Sequence, residues 1–176
     1  MSTLLQVAEL GTPVLRVKAK TVNDTKDPKI QKLIDDLIAT VKEVDGVGIA
    51  APQVYRSLRI FIVASRPNAR YPNAPKMAPT AVINPKIISK SSKKEKDWEG
   101  CLSIPGIRGL VPRHTVIQVE YIDRKGKLVK RKFVNFIARI FQHELDHLDG
   151  IVFLDRLESW LDVITEKEYK KLIAKK

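Results

Sequence analysis

The sequence predicts an α+β fold, and three observations indicate this class. Residues 30–44 carry an apolar stripe with helical spacing, residues 115–134 alternate like a β-hairpin, and a second helical stripe follows the hairpin. Helices and antiparallel strands in separate runs, without regular βαβ alternation, are typical of α+β proteins. The chain has 176 residues, 44% of them hydrophobic, and is expected to form a single domain, residues 1–176.

The first helix is predicted from apolar residues that follow the i, i+3, i+4, i+7 pattern of an amphipathic helix. They are residues 30, 33, 34, 37, 38, 41 and 44. Asp27 is a suitable N-cap, Pro28 suits the first turn, and Gly46 is expected to end the helix.

Strands are expected on both sides of a long loop. Residues 58–64 and 81–88 are rich in β-branched side chains, whereas Ser65 to Pro79 contains repeated Pro and Asn and is predicted to be exposed. Further along, residues 115–122 and 127–134 are joined by DRKG, which predicts an antiparallel hairpin.

The segment QHELDHLDG lies in a predicted helix, residues 135–149, that Gly150 ends. His143 and His147 are four residues apart, so they share one helix face on which two imidazoles can bind one cation. Glu144 lies beside them and can handle a proton. A surface helix with two unrelated histidines is the alternative, but the apolar residues around the motif argue against it.

Catalytic metal sites commonly have three protein ligands, so this helix lacks one. In one alternative the third ligand is Glu166 or Glu168, as in a thermolysin-like protease that cuts internal peptide bonds. In the other it is Cys101, the single cysteine, in WEGCLSIPG, where Gly and Pro predict a tight bend. A thiolate is a soft ligand suited to zinc or ferrous iron. Without that context a lone cysteine would be read as a small buried hydrophobe.

A third segment, GVGIAAPQ, consists of small residues that let backbone or ligand approach closely. Taken alone, it is better explained as a turn followed by a buried strand. Taken in order, however, GVGIAAPQ, EGCLS and QHELDHLDG closely resemble the three signature motifs of the peptide deformylase family, bacterial type. LGTPVLRVKAKTV and INPKI extend the resemblance over nearly the whole chain.

The resemblance implies antiparallel sheets packed around a central metal-binding HExxH helix, with an N-terminal amphipathic helix and a C-terminal helix. It implies that Cys101, His143 and His147 bind one divalent ion, Fe²⁺ in the first place, which Ni²⁺, Co²⁺ or Zn²⁺ can replace. The implied enzyme is a hydrolase that removes the formyl group from the N-formylmethionine of new polypeptides and releases formate.

The resemblance also implies catalytic roles. Glu144 would accept a proton from the attacking water and pass it to the departing amine. The Gln53 side chain and the backbone N–H of Leu102 would donate hydrogen bonds to the formyl oxygen.

Substrate contacts are implied in the same way. The backbone of Val47, Gly48 and Gly100 would pair with the extended peptide, and Ile140 would contact the methionine side chain. Arg108 would contact the peptide further along, unless it is an ordinary surface charge.

The net charge of +12 favours polyanionic or acidic partners. From Thr165 a capping-box pattern followed by YKKLIAKK predicts a basic amphipathic C-terminal helix. This helix either docks on the ribosome or packs as a solvated terminal helix, whereas a pure RNA-binding module would leave the three motifs unexplained. No segment is apolar over the length that crosses a membrane and no targeting pattern is present, so a cytoplasmic protein is expected.

Overall fold

The computed structural model describes residues 2–68 and 70–174. Within these residues there are three α-helices and eight strands, and the strands form two antiparallel sheets. The helices are α1 (Pro28–Glu43), α2 (Asn135–Leu148) and α3 (Glu166–Ala174). The strands are β1 (Gly48–Ala50), β2 (Ile60–Val63), β3 (Thr80–Lys90), β4 (Lys94–Cys101), β5 (Ile104–His114), β6 (Val116–Ile122), β7 (Leu128–Val134) and β8 (Val163–Thr165). The expected combination of helices with antiparallel sheets is confirmed.

The larger sheet has the strand order β1-β2-β3-β6-β7 and lies between two helices. Successive side chains of a strand point to opposite faces of its sheet. Along β2, Ile60 and Ile62 therefore pack with α1, whereas Phe61 and Val63 pack with α2. The ring of Phe61 meets that of Phe141 edge to face, with centroids 5.0 Å apart. Helix α2 is thus held against the sheet by a buried apolar side.

The smaller sheet has the order β4-β5-β8, and the sequence analysis did not predict it. Strands β4 and β5 pair from Lys94 with His114 to Cys101 with Ile104, with an irregularity after Glu99. A separate apolar cluster, formed by β5 and the 3₁₀ turn Phe153–Arg156 that follows α2, fills the space beneath it. This sheet brings the end of β4 to the side of α2.

The ends of α1 were predicted in part. The Asp27 carboxylate accepts a hydrogen bond from the N–H of Lys29 at 2.8 Å, and Pro28 occupies the first turn, as expected. Gly46 takes part in the end of the helix, since its N–H donates to the Val41 carbonyl oxygen at 2.8 Å, but α1 stops at Glu43 and it is Asp45 that takes a positive φ of 50°. A short polar side chain tolerates this left-handed conformation better than most residues do.

At the other end of the chain, the Thr165 hydroxyl accepts a hydrogen bond from the N–H of Glu168 at 3.3 Å, so the predicted cap of α3 is present. None of the helices in the described part of the chain combines the length and the apolar character needed to cross a bilayer.

Candidate active site

Cys101, His143 and His147 meet where the end of β4 reaches helix α2. One ligand atom from each lies within 4.8 Å of the others, and the Cys101 Sγ is 3.2 Å from the His147 Nε2. The four-residue spacing places both imidazoles on the same side of α2, as the sequence predicted. In residues 2–68 and 70–174, no other group of three His, Cys, Asp or Glu side chains could hold a metal ion.

The two glutamates that a thermolysin-like site would need lie elsewhere. Glu166 accepts a hydrogen bond from Arg108 Nη2 at 3.1 Å, and Glu168 accepts one from Lys171 Nζ at 2.7 Å. Neither belongs to the Cys–His–His cluster. The structure therefore supports Cys101 as the third member of the cluster.

Glu99 is a functional residue that the sequence analysis missed. The His143 Nδ1–H donates to its carboxylate at 2.9 Å, Arg113 Nε donates at 2.9 Å, and Arg139 Nη1 donates at 2.8 Å. Burial would raise the pKa of the Glu99 carboxyl, but the Arg113 charge and the hydrogen bonds from His143 and Arg113 outweigh burial and lower it. The bound Nδ1–H directs the other ring nitrogen of His143 towards the cluster.

Arg113, which binds Glu99, also links this network to Asp146 of α2. Arg113 Nη1 donates to Asp146 at 2.6 Å, and Arg156 Nη2 donates to the other oxygen of the same carboxylate at 2.6 Å. The side-chain amide of Gln142 bonds both the N–H and the carbonyl oxygen of His114, at 3.1 and 2.9 Å. These contacts fix α2 against β5 and so fix the two histidines relative to Cys101.

Glu144 is almost fully buried, with 4% of its surface exposed. Its Oε2 has no hydrogen-bond partner within the described residues. Burial raises the pKa of this carboxyl to about 7, an effect that the neighbouring Glu99 charge enhances and His143 and Arg113 oppose. A carboxyl with this pKa can both accept and donate a proton near neutral pH.

Gln53 connects the first motif to the other two. The segment GVGIAAPQ forms β1 and a 3₁₀ turn, so the plain reading of a turn and a buried strand also describes it correctly. The Gln53 Oε1 accepts from the Ala50 N–H at 2.8 Å, while its Nε2 donates to Ser103 Oγ at 3.1 Å and to Cys101 Sγ at 3.4 Å. Ser103 is fully buried and was also missed.

A pocket of about 580 Å³, including the space open to solvent, adjoins the cluster. The pocket is lined by all four expected substrate-contacting residues: Val47, Gly48, Gly100 and Ile140. It is also lined by four other residues of the expected site: Gln53, Leu102, His143 and Glu144. The sequence analysis had not assigned four further lining residues: Tyr71, Trp98, Phe136 and Arg139. Tyr71 comes from the long loop and packs on Phe136 of α2, with ring centroids 5.0 Å apart.

Arg108 lies in the wall of a neighbouring groove, and the expectation that it contacts the peptide further along stays a prediction. It is 1% exposed, so it is neither a surface charge nor part of the inner pocket wall. Its guanidinium binds Glu166, donates to the Tyr71 hydroxyl at 2.9 Å and lies over the ring of Tyr169. A Cβ on Gly100 would come within 2.7 Å of Arg108 Nη1, so only glycine fits there without displacing it.

The fold and the cluster together define a mixed α/β protein with a Cys–His–His site of the kind that binds a divalent metal, opposite a buried carboxyl group. The family model for polypeptide deformylase matches residues 4–162. The chain therefore belongs to the polypeptide deformylase family. It is 62% identical over 172 residues to peptide deformylase 2 of Nostoc sp. strain PCC 7120, covering 98% of this chain and 96% of that protein.

Solved structures agree with this assignment. The Met-Ala-Ser-bound crystal structure of class I type b peptide deformylase from Acinetobacter baumannii has a TM-score of 0.87 at 46% identity, covering 89% of this chain and all of that one. A peptide deformylase from Thermotoga maritima has a TM-score of 0.80 at 37% identity, covering 89% of this chain and 99% of that one.

Proposed function

We propose that this chain is a metal-dependent peptide deformylase that removes the formyl group from N-formylmethionine at the start of new polypeptides and releases formate. The observation that carries the proposal is the Cys101–His143–His147 cluster with the buried Glu144 carboxyl in the same pocket. Family membership supports the choice of this reaction over other hydrolyses. The described residues act as one catalytic domain in this proposal.

The donor set fits one divalent metal ion. One thiolate and two imidazoles converge within 4.8 Å, and both histidines are buried. This mixed soft and borderline set suits Fe²⁺, Ni²⁺, Co²⁺ and Zn²⁺, and we take Fe²⁺ as the resident ion. When bound, the ion supplies Lewis acidity that activates water and polarises the formyl oxygen.

The side chains around the cluster then have separate tasks. Glu144 takes a proton from the attacking water and delivers it to the departing amine, for which a pKa of about 7 is well suited. Gln53 and the N–H of Leu102 donate to the formyl oxygen as charge develops on it. The bond from Gln53 Nε2 to Cys101 Sγ, at 3.4 Å, has a weak thiol acceptor, and in this proposal it is exchanged for the bond to substrate.

The edges of both sheets suit an extended peptide. β1 is the terminal strand of the larger sheet and β4 that of the smaller one, and each contributes glycine backbone to the pocket, Gly48 and Gly100. A peptide that pairs with these edges through its main chain places its first side chain in the pocket beside Val47 and Ile140. Main-chain pairing explains how one enzyme accepts many polypeptides.

The nascent peptide is formed at the ribosome in the cytoplasm, which is where this proposal places the enzyme. We include docking of α3 on the ribosome, because its exposed lysines favour a polyanion. Tyr169 of the same helix is buried against the Arg108 guanidinium. One face of α3 therefore packs on the domain, as expected for a solvated terminal helix, and the lysines lie on the exposed face. Co-sedimentation with ribosomes that is unaffected by Lys167→Glu would contradict docking.

The proposed function is tested by formate release from formyl-Met-Ala-Ser. Protein prepared without oxygen, which protects a thiolate ligand from oxidation, is expected to release formate. Chelation should abolish the release, and added Fe²⁺ should restore it. Cleavage of an internal peptide bond without formate, by fully metal-loaded protein, would contradict the proposal.

Gly48→Ala is expected to reduce kcat for formate release by about 10- to 100-fold, since small displacements of reacting groups carry costs of this size. A Cβ at this position would collide with the Glu144 carboxylate. Metal content should remain unchanged, because Gly48 does not touch the cluster. Gly11→Ala is the matched control. A Cβ there meets nothing within 4 Å, although φ is +104°, so the control reports the general cost of replacing glycine. Equal activity of the two variants would contradict the role of Gly48.

A further inference from the structure

A second cavity lies next to the inner pocket and shares part of its wall. This groove measures about 650 Å³ including the space open to solvent, and Arg70, Gly100 and Leu102 line both cavities. Its other walls come from the turn between β4 and β5, the first part of β5, and helix α3. The two cavities therefore meet along the edge of β4, immediately beside Cys101.

One ion pair in the groove is already satisfied. The Arg108 guanidinium holds the Glu166 carboxylate through Nε and Nη2 and bonds the Tyr71 hydroxyl through Nη1. The rings of Tyr71 and Tyr169 lie within 5.5 and 4.8 Å of its central carbon. Arg108 is buried, and it is the cation that holds the Glu166 carboxylate by direct hydrogen bonds.

Two further cations in the groove lack such a partner. Arg70 donates from Nη2 to the Val44 carbonyl oxygen at 3.0 Å, and Lys170 projects from the exposed side of α3. Neither forms a salt bridge with a carboxylate among residues 2–68 and 70–174. Both lie near Glu166: its pKa is lowered first by the hydrogen bond from Arg108, and the charges of Lys170 and Arg70 add to this. The groove thus holds three cations against one carboxylate.

We propose that this groove is a subsite for an acidic side chain of the peptide substrate, downstream of the formylated residue, and that Arg70 and Lys170 determine this preference. The inference rests on the proposed function, because it takes the first side chain to lie in the inner pocket. An extended chain advances about 3.3 Å per residue, so the second to fourth residues cover roughly the next 10 Å. Those residues pass the edge of β4 that both cavities share.

The test is a positional scan with capped peptides. Formyl-Met-Ala-Ala-Ala-amide is compared with peptides that carry Glu, Gln or Lys at the second, third or fourth position, and the amide removes the terminal carboxylate. At one position kcat/KM for Glu is expected to exceed that for Gln by about three- to fivefold at low salt, declining as salt rises. The difference should appear in KM, because the contact is the same in the ground and transition states.

Lys170→Glu is the decisive variant, and Lys125→Glu is its matched control. Lys125 is exposed in the turn between β6 and β7, away from the smaller sheet and α3, and its replacement changes the net charge equally. Lys170→Glu should remove or reverse the preference for Glu, whereas Lys125→Glu should preserve it. Equal rates for Glu and Gln at all three positions, or equal losses in both variants, would overturn the proposal.

The neutral peptide separates this proposal from the proposed function. Formate release from formyl-Met-Ala-Ala-Ala-amide by both variants upholds the function whatever the groove prefers. If no peptide releases formate, the function fails, and the subsite is then judged from binding of the fluorescently labelled, deformylated peptides. A Kd ratio of Glu to Gln peptides near one at every position would overturn the subsite in that case too.

Discussion

Glu144→Gln is expected to lower kcat for formate release by about 10²–10⁴, the range typical for loss of a general acid–base group. The amide has nearly the same shape but cannot carry the proton. Glu144 does not belong to the Cys–His–His cluster, so metal content and KM should stay close to those of the parent protein. The side chain is buried with an unpartnered oxygen, so it has no structural ion pair to lose.

Cys101→Ala provides the contrasting variant. It removes a thiol of the cluster, so metal content and activity should both fall, and the two variants separate proton transfer from metal binding. Both properties are measured on the same preparations, by metal analysis and by the formate assay. A Glu144→Gln protein that retains more than about a tenth of the parent kcat would contradict the assigned role.

Glu99→Ala is expected to lower the free energy of unfolding by about 3–5 kcal/mol, which is typical when one partner of a buried ion pair is removed. The variant leaves Arg113 and Arg139, both buried, without the carboxylate they share. Glu99→Gln keeps the shape and serves as the control, with a smaller loss. Denaturant unfolding of the two variants at pH 7 measures the difference, and a loss below about 1 kcal/mol for Glu99→Ala would contradict the expected stabilisation.

The same contribution should depend on pH in a defined direction. The pKa of Glu99 is lowered in the folded protein, so the unfolded chain binds a proton at higher pH than the folded one. The stability that Glu99 provides is therefore complete above the ordinary glutamate pKa of about 4.3 and declines as pH falls below it. The difference in stability between the parent and Glu99→Ala should shrink as the pH falls below about 4.3.

Sequence periodicity predicted the helices well because their apolar faces repeat locally. It did not predict the smaller sheet. β4, KEKDWEGC, is mostly charged and exposed, and β5, IPGIRGLVPRH, contains glycines and prolines that usually indicate turns. These strands are stabilised by pairing with each other and by the cluster beneath them, and neither contact is visible in a local window.

The site was predicted to a similar extent. The four-residue spacing placed His143 and His147 on one face of a helix, and the motif context identified Cys101. The ion pairs of Glu99 could not be predicted, because its arginine partners are 14 and 40 residues away. An acidic residue inside an otherwise apolar, glycine-containing motif was the available signal. The sequence also could not show that Arg108 is buried and bonded to Tyr71 and Glu166, because these partners are 37 and 58 residues away.

The guanidinium of Arg108 touches both Tyr71, which lines the inner pocket, and two residues of α3, Glu166 and Tyr169. Helix α3 is therefore connected through Arg108 to the loop that carries Tyr71 into the inner pocket. An insertion, a fused partner or proteolytic trimming at this end would alter which peptides the enzyme accepts, in addition to its stability. Replacing Arg108 would leave the Tyr71 hydroxyl and the Glu166 carboxylate without the hydrogen bonds that it donates to them.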